Sequence, residues 1–358
     1  MPLALSPVSG VNFGGWLSQS PLTPQHLQTF ITAADFQAVA AAGFNTVRLP
    51  FNAKLVFDAE AGLLPDGLAW LDQALAWSKA SGLRLILDLH EVPGHSFVDA
   101  AQNDLYQNRE RQMHAQRLWR ALAVHYLAEG DQLWFELLNE AVAPSAADWQ
   151  RVAEGLLGAI READERRIVV MGSNFWNGPA QFAELKKLDD PRIVYTFHFY
   201  EPHSFTHQGA PWVKWAKQLP TQSYPGTPVG LREAMLAADI QAHVQADHLF
   251  HLWDKAALAK MLEPVLAFQA AHQVPIFCGE FGVYHKAPRP DQLRWIKDFT
   301  ELLADNGFGF TYWSWRGMDY GVLEPTGKWS ELPQYQNAAK RDEELLAALA
   351  RCAALLKG

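Results

Sequence analysis

Two glutamates stand immediately after apolar, strand-like runs. Glu140 closes Leu133-Trp-Phe-Glu-Leu-Leu-Asn-Glu140, and Glu280 closes Val274-Pro-Ile-Phe-Cys-Gly-Glu280. On parallel strands of a barrel both would project from the carboxyl-end rim, where one protonated carboxyl and one ionised carboxylate can flank a single bond. Hydrolysis of a glycosidic bond needs that pair: an acid for the leaving oxygen, and a second group that attacks or activates water. Asn139 directly precedes Glu140, and its amide could hydrogen-bond a sugar 2-hydroxyl. Taken singly, either glutamate could do no more than cap the next helix.

The elements that must position them are short β-branched or aromatic runs alternating with longer amphipathic stretches, the pattern of a parallel sheet wrapped by helices. Eight such runs are present: Ser9–Asn12, Asn45–Leu49, Leu83–Leu89, Leu133–Leu138, Arg167–Met171, Arg192–Phe197, Val274–Cys278 and Phe308–Tyr312. Eight is the barrel number, so the expected fold is α/β, a (β/α)8 TIM barrel over residues 1–358 as one catalytic domain. Thr32-Ala-Ala-Asp35 and Ser145-Ala-Ala-Asp148 read as capping boxes opening helices toward Gly43 and Asp164. Further helices are expected near Asp66–Ser81, Gln107–Glu129, Asp254–His272, Pro290–Asn306 and Ala339–Lys357. The stretch Glu201–Trp253, rich in proline, glycine, histidine and aromatics, reads as a subdomain inserted between strand six and its following helix, over the cleft.

The 358 residues, 49% hydrophobic and 12% aromatic, are ample for a large core. Fourteen tryptophans exceed what such a core needs, so some are expected in a cleft, stacked on flat ligands such as sugar rings. The net charge of −9, with no basic stripe, argues against nucleic acid. Residues 1–10 carry no export signal and no run of eighteen apolar residues occurs, so no membrane partner is expected. The chain is expected to be cytoplasmic, or secreted and already stripped of its signal, and monomeric. Cys278 and Cys352 cannot form a disulfide framework, and Cys278 reads as a small core residue.

Further motifs fall at the successive strand ends. They are Gly10-Val-Asn-Phe-Gly-Gly-Trp16, Asn45-Thr-Val-Arg-Leu-Pro-Phe51, Leu87-Asp-Leu-His90 with Pro93-Gly94, Asn139-Glu140, Phe197-His-Phe-Tyr200, Gly279-Glu-Phe-Gly282 and Tyr312-Trp-Ser-Trp315. With these the sequence resembles glycoside hydrolase family 5, and within it compact bacterial endo-β-glucanases, over nearly the whole chain. The resemblance implies a retaining double displacement with Glu140 as acid/base and Glu280 as nucleophile, supported by Arg48, His90, Asn139, His198, Tyr200 and Trp313. In such a site Arg48 and Tyr200 would keep Glu280 ionised. Glu140 would start protonated in a less solvated place beside the charge of Glu280. His198 would lie beside the acid/base and His90 near the cleaved sugar, and Trp313 would stack on the ring. Singly, Arg48, His198 and Trp313 could as well be core residues.

Trp16, Asn174, Trp176, Phe205, Trp212, Trp315 and Asp319 are candidates for outer subsites, each equally readable as core. His90 and His95 are five apart with Pro93 and Gly94 between them, which does not fit a zinc-protease helix, so no metal and no cofactor are expected. The expected activity is endo-hydrolysis of β-1,4 or mixed-linkage β-1,3-1,4-glucan. The rivals are an exo-acting β-glucosidase or β-1,3-glucanase, a β-mannanase, a carbohydrate-binding pseudoenzyme and a metal hydrolase.

Overall fold

The structure, a computed structural model, describes residues 5–60, 62–98, 103–238, 251–323 and 340–357. Eight parallel strands form a closed barrel: β1 Ser9–Asn12, β2 Thr46–Asn52, β3 Arg84–Glu91, β4 Leu133–Glu136, β5 Ile168–Gly172, β6 Ile193–Phe199, β7 Ile276–Phe281 and β8 Gly309–Tyr312. Closure is made by β1 against β8, with Gly10 opposite Thr311. This is the (β/α)8 barrel that the alternation predicts.

Alternation of side chains along each strand organises the interior in layers. Ile86, Trp134, Ile168, Val170, Val194 and Phe277 form a buried apolar cluster of their own. Two residues further along the same strands come Asp88, Glu136 and Thr196, so the same inward face carries polar groups as it nears the carboxyl-end rim. Outward-facing residues such as Val47, Leu49, Leu85, Leu87, Phe135 and Phe197 belong instead to the large cluster shared with the surrounding helices.

Several boundaries differ from the sequence expectation. β2, β3, β6 and β7 run on to Asn52, Glu91, Phe199 and Phe281, so His90, His198 and Glu280 join Arg48 within strands rather than following them. Pairing persists there because the inward polar groups find partners in one another. The expected helix Asp254–His272 divides into Lys255–Met261 and Glu263–His272, with Pro264 in the first turn of the second, where its missing N–H costs nothing. Both capping boxes open helices, Ala33–Ala41 and Ala146–Arg161. The C-terminal helix spans Glu343–Leu355; Ala339, where it was expected to begin, lies outside the described residues.

Within Glu201–Trp253 the described part forms short helices at His203–Thr206, Ala216–Gln218 and Leu231–Ala237, while residues 239–250 lie outside the described residues. Gly226 and Trp253 exchange backbone hydrogen bonds of 3.0 and 2.9 Å, pinning the two ends of the latter half together. Buried Tyr224 anchors it to the barrel wall, donating from its hydroxyl to Asp298 at 2.9 Å. Among the described residues no helix is long and apolar enough to cross a membrane.

Candidate active site

The floor of the site is a charged cluster centred on Arg48, which is fully buried. Its Nε and Nη2 donate to Glu136 at 2.7 and 2.8 Å, the bidentate geometry that suits a guanidinium. Nη1 donates to Asn12 Oδ1 at 2.9 Å and Glu280 Oε1 at 2.7 Å; Nη2 also reaches Asn139 Oδ1 at 2.9 Å and Asp88 Oδ2 at 3.0 Å. One cation thus serves several carboxylates. Burial pushes Asp88 up to about 7 and Glu136 up to about 6, with the charge of Arg48 opposing both.

Glu280 owes its position to the residue before it. Phe197 pairs with Cys278 but His198 pairs with Glu280, so Gly279 is an extra residue in the ladder, a bulge that re-aims the next side chain. A Cβ on Gly279 would lie 2.5 Å from Thr196 Oγ1, so only glycine fits. The Gly279 carbonyl is held by Asn12 Nδ2 at 2.9 Å and Thr311 Oγ1 at 2.6 Å. Glu280 Oε2 then accepts from the Tyr200 hydroxyl at 3.0 Å.

Glu140 sits in the left-handed region at φ 43° and is half-buried. Its Oε1 is 2.8 Å from His198 Nδ1, which lies 3.7 Å from Glu280 Oε2. One atom each of Glu140, His198 and Glu280 lie within 4.8 Å of one another. A cation placed among them would compete with Arg48 and Tyr200 for Glu280 and with His198 for Glu140, since those contacts already engage the ligand atoms.

The two carboxyls differ electrostatically. Burial and the neighbouring charge of Glu280 drive Glu140 well above the ordinary carboxylate range. Burial raises Glu280 too, but Arg48 and the Tyr200 hydrogen bond favour its anion, so Glu140 holds its proton to higher pH than Glu280. The buried histidines are neutral: desolvation brings His90 and His95 down to about 4 and His198 well below its ordinary value.

Around these lies a cleft of about 890 Å3 to which His90, Asn139, Tyr200 and Trp313 all contribute. His90 donates from Nδ1 to Asp88 at 2.7 Å, and its ring lies nearly parallel to Trp313, 5° apart with centroids 5.8 Å distant. His95 instead turns away, with Nε2 2.9 Å from the carbonyl of Asn139. The Nδ2 of Asn139 is buried and has no hydrogen-bond partner among the described residues.

The outer candidates divide. Trp176, Trp212 and Asp319 line the cleft, the two indoles being 44% and 49% exposed. Trp16, Phe205 and Asn174 do not, and are corrected to structural residues. Trp16 is stacked on Trp77 at 6.2 Å and donates to the Leu27 carbonyl. Phe205 packs on Tyr224, and Asn174 clamps both backbone groups of Ala143, at 2.8 and 3.1 Å. Trp315 is also core, donating to Asp35 at 3.1 Å. Strand-end placement brought these residues near the rim, but local packing turned their side chains inward.

Sequence reasoning missed Asp88, Glu136, Asn12 and the cleft residues Phe175, His203 and His207. A signal existed for the first two: each is an acid flanked by apolar residues, in Leu87-Asp-Leu89 and Phe135-Glu-Leu137, a placement that demands a buried partner. The stretch Glu201–Trp253 also supplies Val213, Trp215, Leu231 and Met235 to the cleft wall.

Comparison with known proteins gives the family. The family model for cellulases, glycosyl hydrolase family 5, matches residues 9–319. Endoglucanase C of Acetivibrio thermocellus is 36% identical over 324 residues, 89% of this chain and 94% of that protein. Cellodextrinase A of Ruminococcus flavefaciens is 28% identical over 302 residues, 84% of this chain and 83% of its own. Among solved structures, endoglucanase Cel5A of Thermotoga maritima superposes with a TM-score of 0.75 at 22% identity, covering 96% of both chains, a likeness of fold. The chain is a member of the cellulase family, glycosyl hydrolase family 5.

Proposed function

We propose that this glycoside hydrolase is an endo-acting β-glucanase, cleaving β-1,4 or mixed-linkage β-1,3-1,4-glucan by double displacement with retention. Glu280 is the nucleophile and Glu140 the acid/base. The observation that carries the reading is the pair itself: carboxylate oxygens within 4.8 Å, one beside Arg48 and Tyr200 and the other beside neutral His198. Retaining enzymes hold their carboxyls roughly 5–5.5 Å apart, whereas inverting ones leave room for water at ~6.5–9.5 Å.

The steps follow from the surroundings. Glu280, kept anionic by Arg48, attacks the anomeric carbon while Glu140 gives its proton to the departing oxygen. A glycosyl ester on Glu280 results. Glu140, now ionised, draws a proton from water, which attacks the ester and frees Glu280. Loss of the Glu280 charge on ester formation lowers the proton affinity of Glu140, so one residue serves as acid and then as base. Asn139 Nδ2 is the free donor for a sugar 2-hydroxyl, and the Trp313 ring offers a stacking face.

The names of the similar proteins, endoglucanase and cellodextrinase, support the substrate class. The test is the time course on barley β-glucan and carboxymethyl cellulose. Rapid loss of viscosity with few new reducing ends is the expected result. Glucose or a single disaccharide released with little viscosity change would mean exo-action, and no release from either would overturn the reading.

A further inference from the structure

Both nitrogens of the His198 ring are engaged. Nδ1 is 2.8 Å from Glu140 Oε1, and Nε2 is 3.3 Å from the side-chain Nδ2 of Asn177. The buried ring also faces Glu280, Arg48 and His90, and desolvation together with the charge of Arg48 keeps it neutral. A neutral imidazole has one proton to place. Because an amide N–H can only donate, His198 Nε2 must accept, and the proton belongs on Nδ1.

That choice decides where Glu140 carries its own proton. His198 Nδ1–H donates to Oε1, and His198 is the hydrogen-bond partner of Glu140 among the described residues. With Oε1 already accepting, the acid proton sits on Oε2, the oxygen that no group among the described residues holds. In the opposite tautomer Nδ1 would be a lone pair, and protonated Glu140 would donate to it instead of to a leaving group.

We propose that Asn177 is a positioning residue for the acid/base: by donating to His198 Nε2 it fixes the His198 tautomer and thereby directs the acid proton of Glu140 to Oε2. The proposal rests on Glu140 being the acid/base.

The way Asn177 is held supports it. Phe175, Trp176 and Asn177 are three successive left-handed residues, at φ 44°, 61° and 55°. Asn tolerates this conformation, whereas Phe and Trp adopt it only where the surroundings over-determine it. Here the surroundings are the segment that follows Glu140: Trp176 N donates to the Ala141 carbonyl at 3.2 Å, and Asn174 clamps Ala143. Gly172 completes the seat, since a Cβ there would lie 2.2 Å from Asn177 Oδ1 and 2.5 Å from Nδ2. Within it the fully buried Oδ1 has no partner among the described residues. With Nδ2 toward His198 the ring proton is set on Nδ1, and flipping the amide would aim Oδ1 at Nε2 and draw the proton there, so the tautomer follows the orientation of this amide.

The test is long-range 1H–15N correlation of the 15N-labelled protein, which reads the His198 tautomer directly, beside kinetics on cellobiosides of graded leaving group. Wild type is expected to carry the proton on Nδ1. Asn177→Gly suits the left-handed backbone and deletes the amide. It should lose the fixed tautomer and lower kcat roughly tenfold on poor leaving groups, less on activated ones, a part of what proton transfer contributes. Its basic pH limb should move upward, because Nδ1 as acceptor stabilises protonated Glu140. Asn177→Asp, which can only accept, should place the proton on Nε2 and lose more. If Asn177→Gly does not fold, Gly172→Ala displaces the amide and is read the same way.

A wild-type proton on Nε2 would overturn the proposal, as would losses equal across leaving groups with the tautomer unchanged. Failure of the Glu140 assignment would show separately, as a Glu140→Gln enzyme with no leaving-group dependence.

Discussion

Arg48 Nη1 lies 2.7 Å from Glu280 Oε1, so the proposed nucleophile rests on a cation that is itself wholly buried and bonded on every side. A single ammonium cannot reproduce that fork. In Arg48→Lys the anion of Glu280 loses its nearest stabiliser, its pKa rises, and the acidic limb of the pH–rate profile moves to higher pH. A misplaced nucleophile costs on the order of 10²-fold in kcat. Rate measurements from acidic to neutral pH check both; an unmoved limb would remove Arg48 from control of Glu280.

The elevated pKa of Glu140 matters only where a leaving group needs a proton. Glu140→Gln is therefore expected to retain much of its rate on dinitrophenyl cellobioside while losing on the order of 10²–10⁴-fold on unactivated glucan. Equal losses on both would take the acid role from Glu140.

Most of this site was legible because its residues fall at strand ends in recognisable runs, from Asn45–Phe51 to Tyr312–Trp315. What the sequence hid depends on facing. Asp88 and Glu136 become meaningful only when the alternation shows that Ile86 and Trp134 point into the barrel, which carries the two acids inward as well. Trp16 and Trp176 are both rim tryptophans, yet one is buried by Trp77 and the other is held open with its Nε1 on the Phe97 carbonyl at 2.7 Å. Asn177 gave no signal, because its role follows from a left-handed turn that Phe175 and Trp176 do not advertise.

His95 ties acid sensitivity of the fold to the site. Burial brings it from 6.5 down to about 4, so it is neutral when folded and takes up a proton on unfolding. A lowered histidine contributes stability that is complete above 6.5 and is lost as pH falls toward about 4. Asp88, raised to about 7, acts in the opposite direction, its contribution being lost as pH rises through about 7. Comparing wild type with His95→Gln isolates the histidine. The fall in unfolding free energy between neutral and acidic pH should be shallower in the variant, by up to about 3 kcal/mol for a shift of this size. Denaturant midpoints across that range check this; equal slopes would place a charged or solvated His95 in the fold.

The tryptophans separate binding from folding. Trp176 and Trp212 present partly exposed indoles to the cleft, so truncation to Ala should raise KM on long glucans while leaving small aryl cellobiosides and thermal stability nearly unchanged. Trp16, fully buried against Trp70 and Trp77, has no surface to offer a sugar. Trp16→Ala should cost about 3–5 kcal/mol of stability, and the fraction that stays folded should keep its KM. Kinetics on long and short substrates with thermal melts of all three variants check the division. A stability loss in Trp176→Ala comparable to that of Trp16→Ala would make the exposed indole part of the core, and its place at the cleft wall would carry no sugar contact.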